Sequence, residues 1–399
     1  MAKLGNARDE YRKEPLICTA DHCFSVEVKQ QGSKTVALTL KTSSLLSGND
    51  KVLLKTDPQA TRNIFGDAEV IVLDSVKSGT GRSENADFAN IVVAPVLQDL
   101  KVDFKVVKTD STDAIKNLAK GLSPSKDYFI MMLSGDTSIS EFFNGLPDDC
   151  KSKRAHKITL VPFPMGTGNA WASSLGFTSP IALFRSMLAG QLTSRKFPLY
   201  RAVFPNDTQL VFFIILSAAF HANLLHLCAH PKYQKMGVER FRVASEKLLN
   251  DEALSCQICI PKVTEGSFNY FAVINTSNLE RTYKPSPCSD VLKSELHLLA
   301  YSSSLCTEEL VARIMKGYQN KAGDDINDNG VLYQRMLDDF EVHIDSDPAN
   351  SPRSKFDICC DGHLLNLLDL QKDGKPFNNK IDIKFLKNYS SFELELLAP

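Results

Sequence analysis

The sequence predicts an α/β domain of parallel strands, then an antiparallel β-sandwich, with a β extension in front. Two observations carry this. Between residues 68 and 176, apolar runs of strand length alternate with glycine-bearing loops and helix-spaced apolar positions, as βαβ units do. After Leu199 regular helices thin out and short alternating runs dominate, which favours a sandwich. The 399 residues exceed what one hydrophobic core usually holds. The expected divisions are 1–66 for the extension, 67–198 for the α/β domain and 199–399 for the sandwich.

The elements follow in order. In the extension, Thr35–Lys41 (TVALTLK) alternates and Lys51–Lys55 (KVLLK) is a short strand candidate. Ala68–Leu73 (AEVIVL) reads as a buried strand and runs into a glycine-bearing loop, Asp74–Gly81. Phe88, Ile91, Val92 and Val96 give Asn85–Leu97 helical spacing, with Pro95 set to kink or end it. Val102–Lys108 is the next strand, and Asp113–Leu122 a helix with Ile115, Leu118 and Ala119 on one face. Tyr128–Leu133 feeds a second small-residue loop, Ser134–Ser138, and a helix through Glu141. Ile158–Phe163 feeds a third, Pro164–Gly176 (PMGTGNAWASSLG). In the sandwich, strands are expected at 200–204, 209–216, 255–261, 269–275, 295–301, 338–344, 355–360 and 380–385. Helical pieces interrupt them at 239–249 and 307–316.

Composition narrows the function. A net charge of -1 gives no basis for bulk nucleic-acid binding. The start, MAKLGNARDEYRKEP, lacks the apolar core of a secretory signal. The most hydrophobic stretch, Leu210–Phe220 (LVFFIILSAAF), is too short to span a bilayer and reads as a buried strand entering a turn or helix. Of the 10 cysteines, Cys256 and Cys259 form a CxxC inside an alternating strand pattern, and no second pair accompanies it. The cysteines are therefore expected to be reduced thiols of a cytoplasmic protein, with no metal centre. A lipid ligand would be met in a pocket or peripherally at a membrane surface.

The stretch Met131–Gly145 (MMLSGDTSISEFFNG) organises the chain. Gly135 permits a tight turn or close backbone approach. The following helix offers free N–H groups to an anion, and Asp136 puts a carboxylate at the strand's C-terminal edge. Alone, the stretch reads first as an ordinary strand–turn–helix connection with a solvated aspartate. Three such loops in one half of the chain would line one edge of a parallel sheet, where a nucleoside triphosphate lies against several helix N-termini. None reads GxxxxGK[ST] or GxGxxG, so neither a Walker loop nor a Rossmann site is expected.

These residues resemble the diacylglycerol kinase catalytic-domain superfamily. SGDTSISEFFNGL is similar to its GGDGT…E…NGL loop, PMGTGNAWASSLG to its P-x-GTGN-x-x-A loop, and DSVKSGTG to its first NPxSGxG loop. Ser134 before Gly-Asp resembles the sphingosine (long-chain-base) kinases within it. So does the block Lys232, Tyr233, Gly237, Arg240 and Phe241, which matches KYxxxGxxRF. Asp361-Gly362-His363 is similar to the C-terminal DGE turn.

The resemblance implies a nucleotide domain like that of phosphofructokinase and NAD kinase joined to a β-sandwich lipid domain. It also implies transfer of the γ-phosphate of ATP, with Mg²⁺, to the primary hydroxyl of a sphingoid base presented by a membrane. Asp136 would be the catalytic carboxylate, as base or hydroxyl-orienting group. Ser78, Gly79, Ser134, Gly135 and Thr137 would hold nucleotide and phosphates together with Gly166, Thr167, Gly168 and Asn169. Arg240 would neutralise phosphate charge, Glu141 would position Arg240 or a water, and Asp361 and Gly362 would complete the site. Phe220 and Asn223 would meet the lipid, Asn223 standing where sphingosine kinases carry an acidic residue. Homodimers occur in the superfamily.

The chain departs from the pattern at Thr137 for the second glycine of GGDGT, Asp74-Ser75 for Asn-Pro, His363 for Glu and Lys293-Ser294 for Asp-Gly. A β-branched residue at 137 would resist positive φ. The rival readings are a diacylglycerol or ceramide kinase, and a catalytically impaired protein that binds nucleotide or lipid.

Overall fold

A computed structural model describes residues 9–31, 34–44, 63–76, 83–109, 111, 113–147, 156–237, 239–250 and 254–399. The strand candidate Lys51–Lys55 and the loop residues Ser78 and Gly79 lie outside the described residues.

The extension is a three-stranded antiparallel sheet: β1 (Asp9–Cys18), β2 (His22–Gln31) and β3 (Lys34–Ser44). Leu16, Ile17, Phe24, Val26 and Val28 are buried in the same core as the α/β domain. Asp99, closing the helix Ala94–Asp99, ties the sheet down. It accepts a 2.6 Å hydrogen bond from Thr19 and pairs with His22 Nδ1 at 2.7 Å. The expectation of uniformly reduced cysteines is corrected here, because Cys18 and Cys23 form a disulfide. Hairpin register sets the two opposite each other, with Cα atoms 4.0 Å apart. Their sequence spacing carried no signal of that pairing.

The α/β domain is a six-stranded sheet. Its strands are β4 (Glu69–Asp74), β5 (Phe104–Lys108), β6 (Tyr128–Ser134), β7 (Lys157–Pro164), β8 (Thr193–Arg195) and β20 (Glu393–Ala398), in the order β5-β4-β6-β7-β20-β8. All pairs are parallel except β20 with β8. β6 is buried along its whole length, as expected of a strand covered on both faces. β20 comes from the far end of the chain, so the α/β domain is completed by residues beyond the 198 boundary. Around Pro95 the backbone widens into a π-turn over Ala89–Val93, in which the Ala94 N–H bonds Ala89 O. The helix then restarts with Pro95 in its first turn, where a missing N–H does no harm.

The remaining strands form one continuous eleven-stranded antiparallel sheet, not the two stacked sheets of a sandwich. They are β9 (Leu199–Val203), β10 (Gln209–Phe212), β11 (Ile215–Ala219), β12 (Cys256–Ile260), β13 (Thr264–Ile274), β14 (Leu296–Ser302), β15 (Val331–Met336), β16 (Phe340–Ile344), β17 (Asp357–Cys360), β18 (His363–Asn366) and β19 (Lys380–Leu386). β13 is the corner. On one edge its first half pairs with β12 and its second half with β11, while β14 lies along the other, with a register shift at Phe268/Tyr270. Such shifts let a sheet curl. The curl encloses its own core, including Phe212, Leu216, Ile258, Phe271, Leu298, Val342, Ile358 and Ile383. The apolar run 210–220 breaks at Phe213-Ile214 between β10 and β11, then enters the helix Phe220–Ala229.

Candidate active site

Parallel register sets the strand ends that open the three loops side by side: Asp74 lies opposite Leu133, and Ser134 opposite Pro164. The second and third loops touch backbone to backbone. A Cβ on Gly166 would stand 2.5 Å from Gly135 Cα, and one on Gly135 would stand 3.1 Å from Gly166 Cα. A side chain at 166 would force the two backbones apart, and one at 135 would press on the same seam. The Met165 N–H donates to Ser134 O at 3.2 Å across the same seam, and the hydroxyls of Ser75 and Ser138 meet at 3.2 Å.

Asp136 opens the helix Asp136–Gly145. Its carboxylate accepts from the Ala170 N–H at 2.6 Å and the Trp171 N–H at 3.3 Å, so it caps the third loop's helix, Ala170–Ser174. Asn169, at the usual cap position, has φ +55° and spends its amide elsewhere. Its Oδ1 accepts from the Gly166 N–H and its Nδ2 donates to Gly166 O, both at 2.7 Å. Asn169 is thus a staple that holds the glycine turn shut. Burial pushes the Asp136 pKa up to about 6, against the pull of its two N–H donors. Thr137 is helical and does not have positive φ, so the expected conflict with a β-branched side chain does not arise.

A second carboxylate reaches the cavity from the other domain. Asp361-Gly362 is the two-residue turn joining β17 to β18, with φ +46° and +86°. Asp-Gly is the sequence such a turn favours. The Asp361 carboxylate accepts from the N–H groups of Phe213, Ile214 and Ile215 at 2.7, 3.1 and 2.8 Å. It thereby satisfies the backbone where the apolar run breaks between β10 and β11. Burial pushes its pKa up to about 7 despite the three donors, and the nearby Asp136 adds to the rise.

One cavity of about 1230 Å³ joins these groups to an apolar arm. Of the sequence-predicted residues, it is lined by Gly135, Asp136, Thr137, Glu141, Gly166, Thr167, Gly168, Asn169, Phe220, Arg240, Asp361 and Gly362. Two others are not in its wall. Ser134 is buried under the loop, and Asn223 is 5 % exposed with its Oδ1 unpartnered among the described residues. Arg240 lies over the Phe241 ring at 4.8 Å, and its Nε has no partner among the described residues. Glu141 is half-buried, and its pKa is raised chiefly by desolvation.

Sequence reasoning missed the arm. It is built from Leu224 and Leu225 of the helix Phe220–Ala229, Leu249 of the helix Glu239–Leu249, and Val311, Ile314 and Met315 of the helix Thr307–Lys316, with His221 and Tyr270. The one available signal was the apolar spacing in 307–316. His226 and His230, farther along the same segment, have partners outside the arm. His226 pairs with Asp357 at 3.5 Å and Ile358 O at 3.2 Å, and His230 caps the short helix that follows it.

Comparison with known proteins agrees with this architecture. Residues 69–196 match the family model of the diacylglycerol kinase catalytic domain. The chain is 30% identical over 122 residues to sphingosine kinase B of Dictyostelium discoideum, covering 31% of this chain and 16% of that protein. It is 31% identical over 83 residues to sphingosine kinase 2 of Homo sapiens, covering 21% and 13%. The chain therefore spans about a sixth of these relatives or less. Solved structures of diacylglycerol kinase and putative diacylglycerol kinase from Bacillus anthracis str. Sterne superpose with TM-scores of 0.55 and 0.56 at 15% identity, over 83% of this chain and 97% of theirs. The likeness of fold thus extends through both domains. The similarity to the diacylglycerol kinase catalytic domain is thus carried by the α/β part of this chain, residues 69–196.

Proposed function

We infer that the protein is an ATP-dependent lipid kinase. One observation carries this reading: a single cavity joins the second and third phosphate-type loops, with Ser75 from the start of the first, to an apolar arm of helix side chains. Phosphoryl transfer needs little covalent help from a protein. It needs the triphosphate and the attacking hydroxyl held in line, with charge neutralised around them. The paired turns at Gly135 and Gly166 offer a backbone cradle, Arg240 a cation, and Asp136 a carboxylate at the meeting point. A carboxylate titrating near 6 is better matched to accepting a hydroxyl proton at neutral pH than an ordinary aspartate.

Mg²⁺ fits the donor set as an ion arriving with the nucleotide. It is typically held by one or two carboxylates plus phosphate oxygens. Asp136, Asp361 and Glu141 line the cavity, and no cluster of three or more metal-type side chains preforms a cage among the described residues. When bound, the ion would neutralise phosphate charge beside Asp136 and Glu141.

The lipid alcohol is proposed to be a sphingoid long-chain base, supported by the two sphingosine kinase relatives. A second reading, an uncharged lipid alcohol such as diacylglycerol or ceramide, is favoured by position 223, where an uncharged amide sits outside the cavity wall. The test is phosphate transfer from labelled ATP to each lipid class by the purified protein. Transfer to a lipid supports the kinase reading, and the better acceptor chooses between the two alcohols. The enzyme would act on membranes peripherally, since no helix among the described residues is long and apolar enough to cross one.

A further inference from the structure

The apolar arm contains a polar pair that the proposed chemistry does not use. Tyr270, on β13, lines the arm and is 2% exposed, yet its hydroxyl has no hydrogen-bond partner among the described residues. A buried hydroxyl without a partner costs free energy and is seldom retained without a use. His221 lines the arm beside it, the two ring centroids 6.1 Å apart. His221 Nδ1 is held by the Ser217 hydroxyl at 2.7 Å, which leaves Nε2 for another partner. Burial pushes the His221 pKa down to about 4, so the imidazole is neutral at physiological pH. One helix and one strand far apart in the chain thus bring two uncharged hydrogen-bonding groups together among leucines and aromatics.

Three of the carboxylates lining the cavity are engaged elsewhere. Glu280 accepts from the Tyr318 hydroxyl at 2.7 Å, and Glu239 and Glu246 both pair with Arg242. Neutral donors in an apolar wall suit an uncharged oxygen acceptor and gain little from an ammonium. We propose that Tyr270 and His221 form a specificity station that hydrogen-bonds an uncharged oxygen of the lipid, either an acyl carbonyl or a secondary hydroxyl, next to the hydroxyl that is phosphorylated. This rests on the lipid kinase reading and adds a recognition point to it. The station makes oxygenation of the lipid near its head, not only chain length, a condition of tight binding.

The test is equilibrium lipid binding to the full chain without ATP, with matched pairs of probes. One pair is 1,2-dioctanoylglycerol and its dioctyl ether, which lacks the carbonyls. The other is sphinganine and 2-aminooctadecanol, which lacks the secondary hydroxyl. Tyr270→Phe is expected to weaken binding about tenfold for the oxygenated member of one pair, the loss of one hydrogen bond, and to leave its partner unchanged. The affected pair tells carbonyl from hydroxyl. The variant should melt no lower than the parent, since the lost hydroxyl has no hydrogen-bond partner among the described residues. His221→Phe should show the same selectivity. Equal losses within both pairs, or none in either, would overturn the station while leaving lipid binding intact. Lipid binding by the parent without phosphate transfer would instead sink the kinase reading.

Discussion

A Cβ on Gly362 would stand 2.6 Å from Thr137 Oγ1. The turn of one domain and the loop after β6 in the other are therefore packed directly together, at one position that departs from the resembled family pattern and one that borders a departure. Thr137 takes up the space that Gly362 leaves, and Gly362, at φ +86°, could not carry a side chain without strain in any case. Gly362→Ala should cost on the order of 1–3 kcal/mol in stability. Adding Thr137→Gly should recover part of that loss, because it removes the collision but not the strained φ. A double-mutant cycle by denaturant titration checks this, and strict additivity would show that the two residues do not meet in solution.

Asp136 both caps a helix and faces the cavity, and the two roles separate by substitution. Asp136→Asn keeps an acceptor for the Ala170 N–H, so stability should change by about 1 kcal/mol or less. Phosphate transfer should be lost and ATP binding kept. If ATP binding falls together with transfer, Asp136 acts by shaping the third loop and not as a proton acceptor.

The two raised carboxyls give the protein a defined response to acid. Asp361 and Asp136 hold protons more tightly folded (pKa about 7 and about 6) than unfolded (near 3.8). Between those values the folded state binds more protons, so stability rises as pH falls from about 7.5 towards 4. Activity should move the other way, with an acid limb near pH 6 as Asp136 takes up its proton. Melting temperature against pH checks the first point, and Asp361→Asn should flatten the upper part of that curve. A stability maximum above pH 8 would contradict the assignment.

The Cys18–Cys23 disulfide closes a tight hairpin whose far end is anchored on Asp99. Its short loop implies a contribution on the order of 2 kcal/mol. Reduction, or Cys23→Ala, should lower the melting temperature. Mass spectrometry of the unreduced protein should find this pair bridged, and two free thiols there would contradict the fold of the extension.

Much of the α/β domain was legible because its signals are local. A buried run such as Tyr128–Leu133, followed by Gly-Asp and a helix, names strand, loop and helix at once. Gly135 in the second loop also signalled a close backbone approach, which it makes to Gly166 of the third. What sequence could not show depended on contacts far apart in the chain. The return of Glu393–Ala398 to the α/β sheet is one example, and the use of Asp361 to satisfy three N–H groups near residue 214 is another. Asn169 is a third example: it lines the cavity, and its amide also closes the glycine turn by bonding Gly166, a role the sequence did not signal. The sandwich expectation failed because alternating strands specify inward and outward faces but not which edges join. β13 supplies two neighbours on one edge, and one curled sheet results.

The central claim is that this cavity moves a phosphate from ATP to a lipid alcohol. Its most direct test is to incubate the purified full chain, and Asp136→Asn beside it, with γ-labelled ATP, Mg²⁺ and a panel of sphingoid base, ceramide and diacylglycerol in mixed micelles. The account predicts label on at least one extracted lipid with the parent and none with the variant. ATP bound by the parent with no label on any lipid would contradict it.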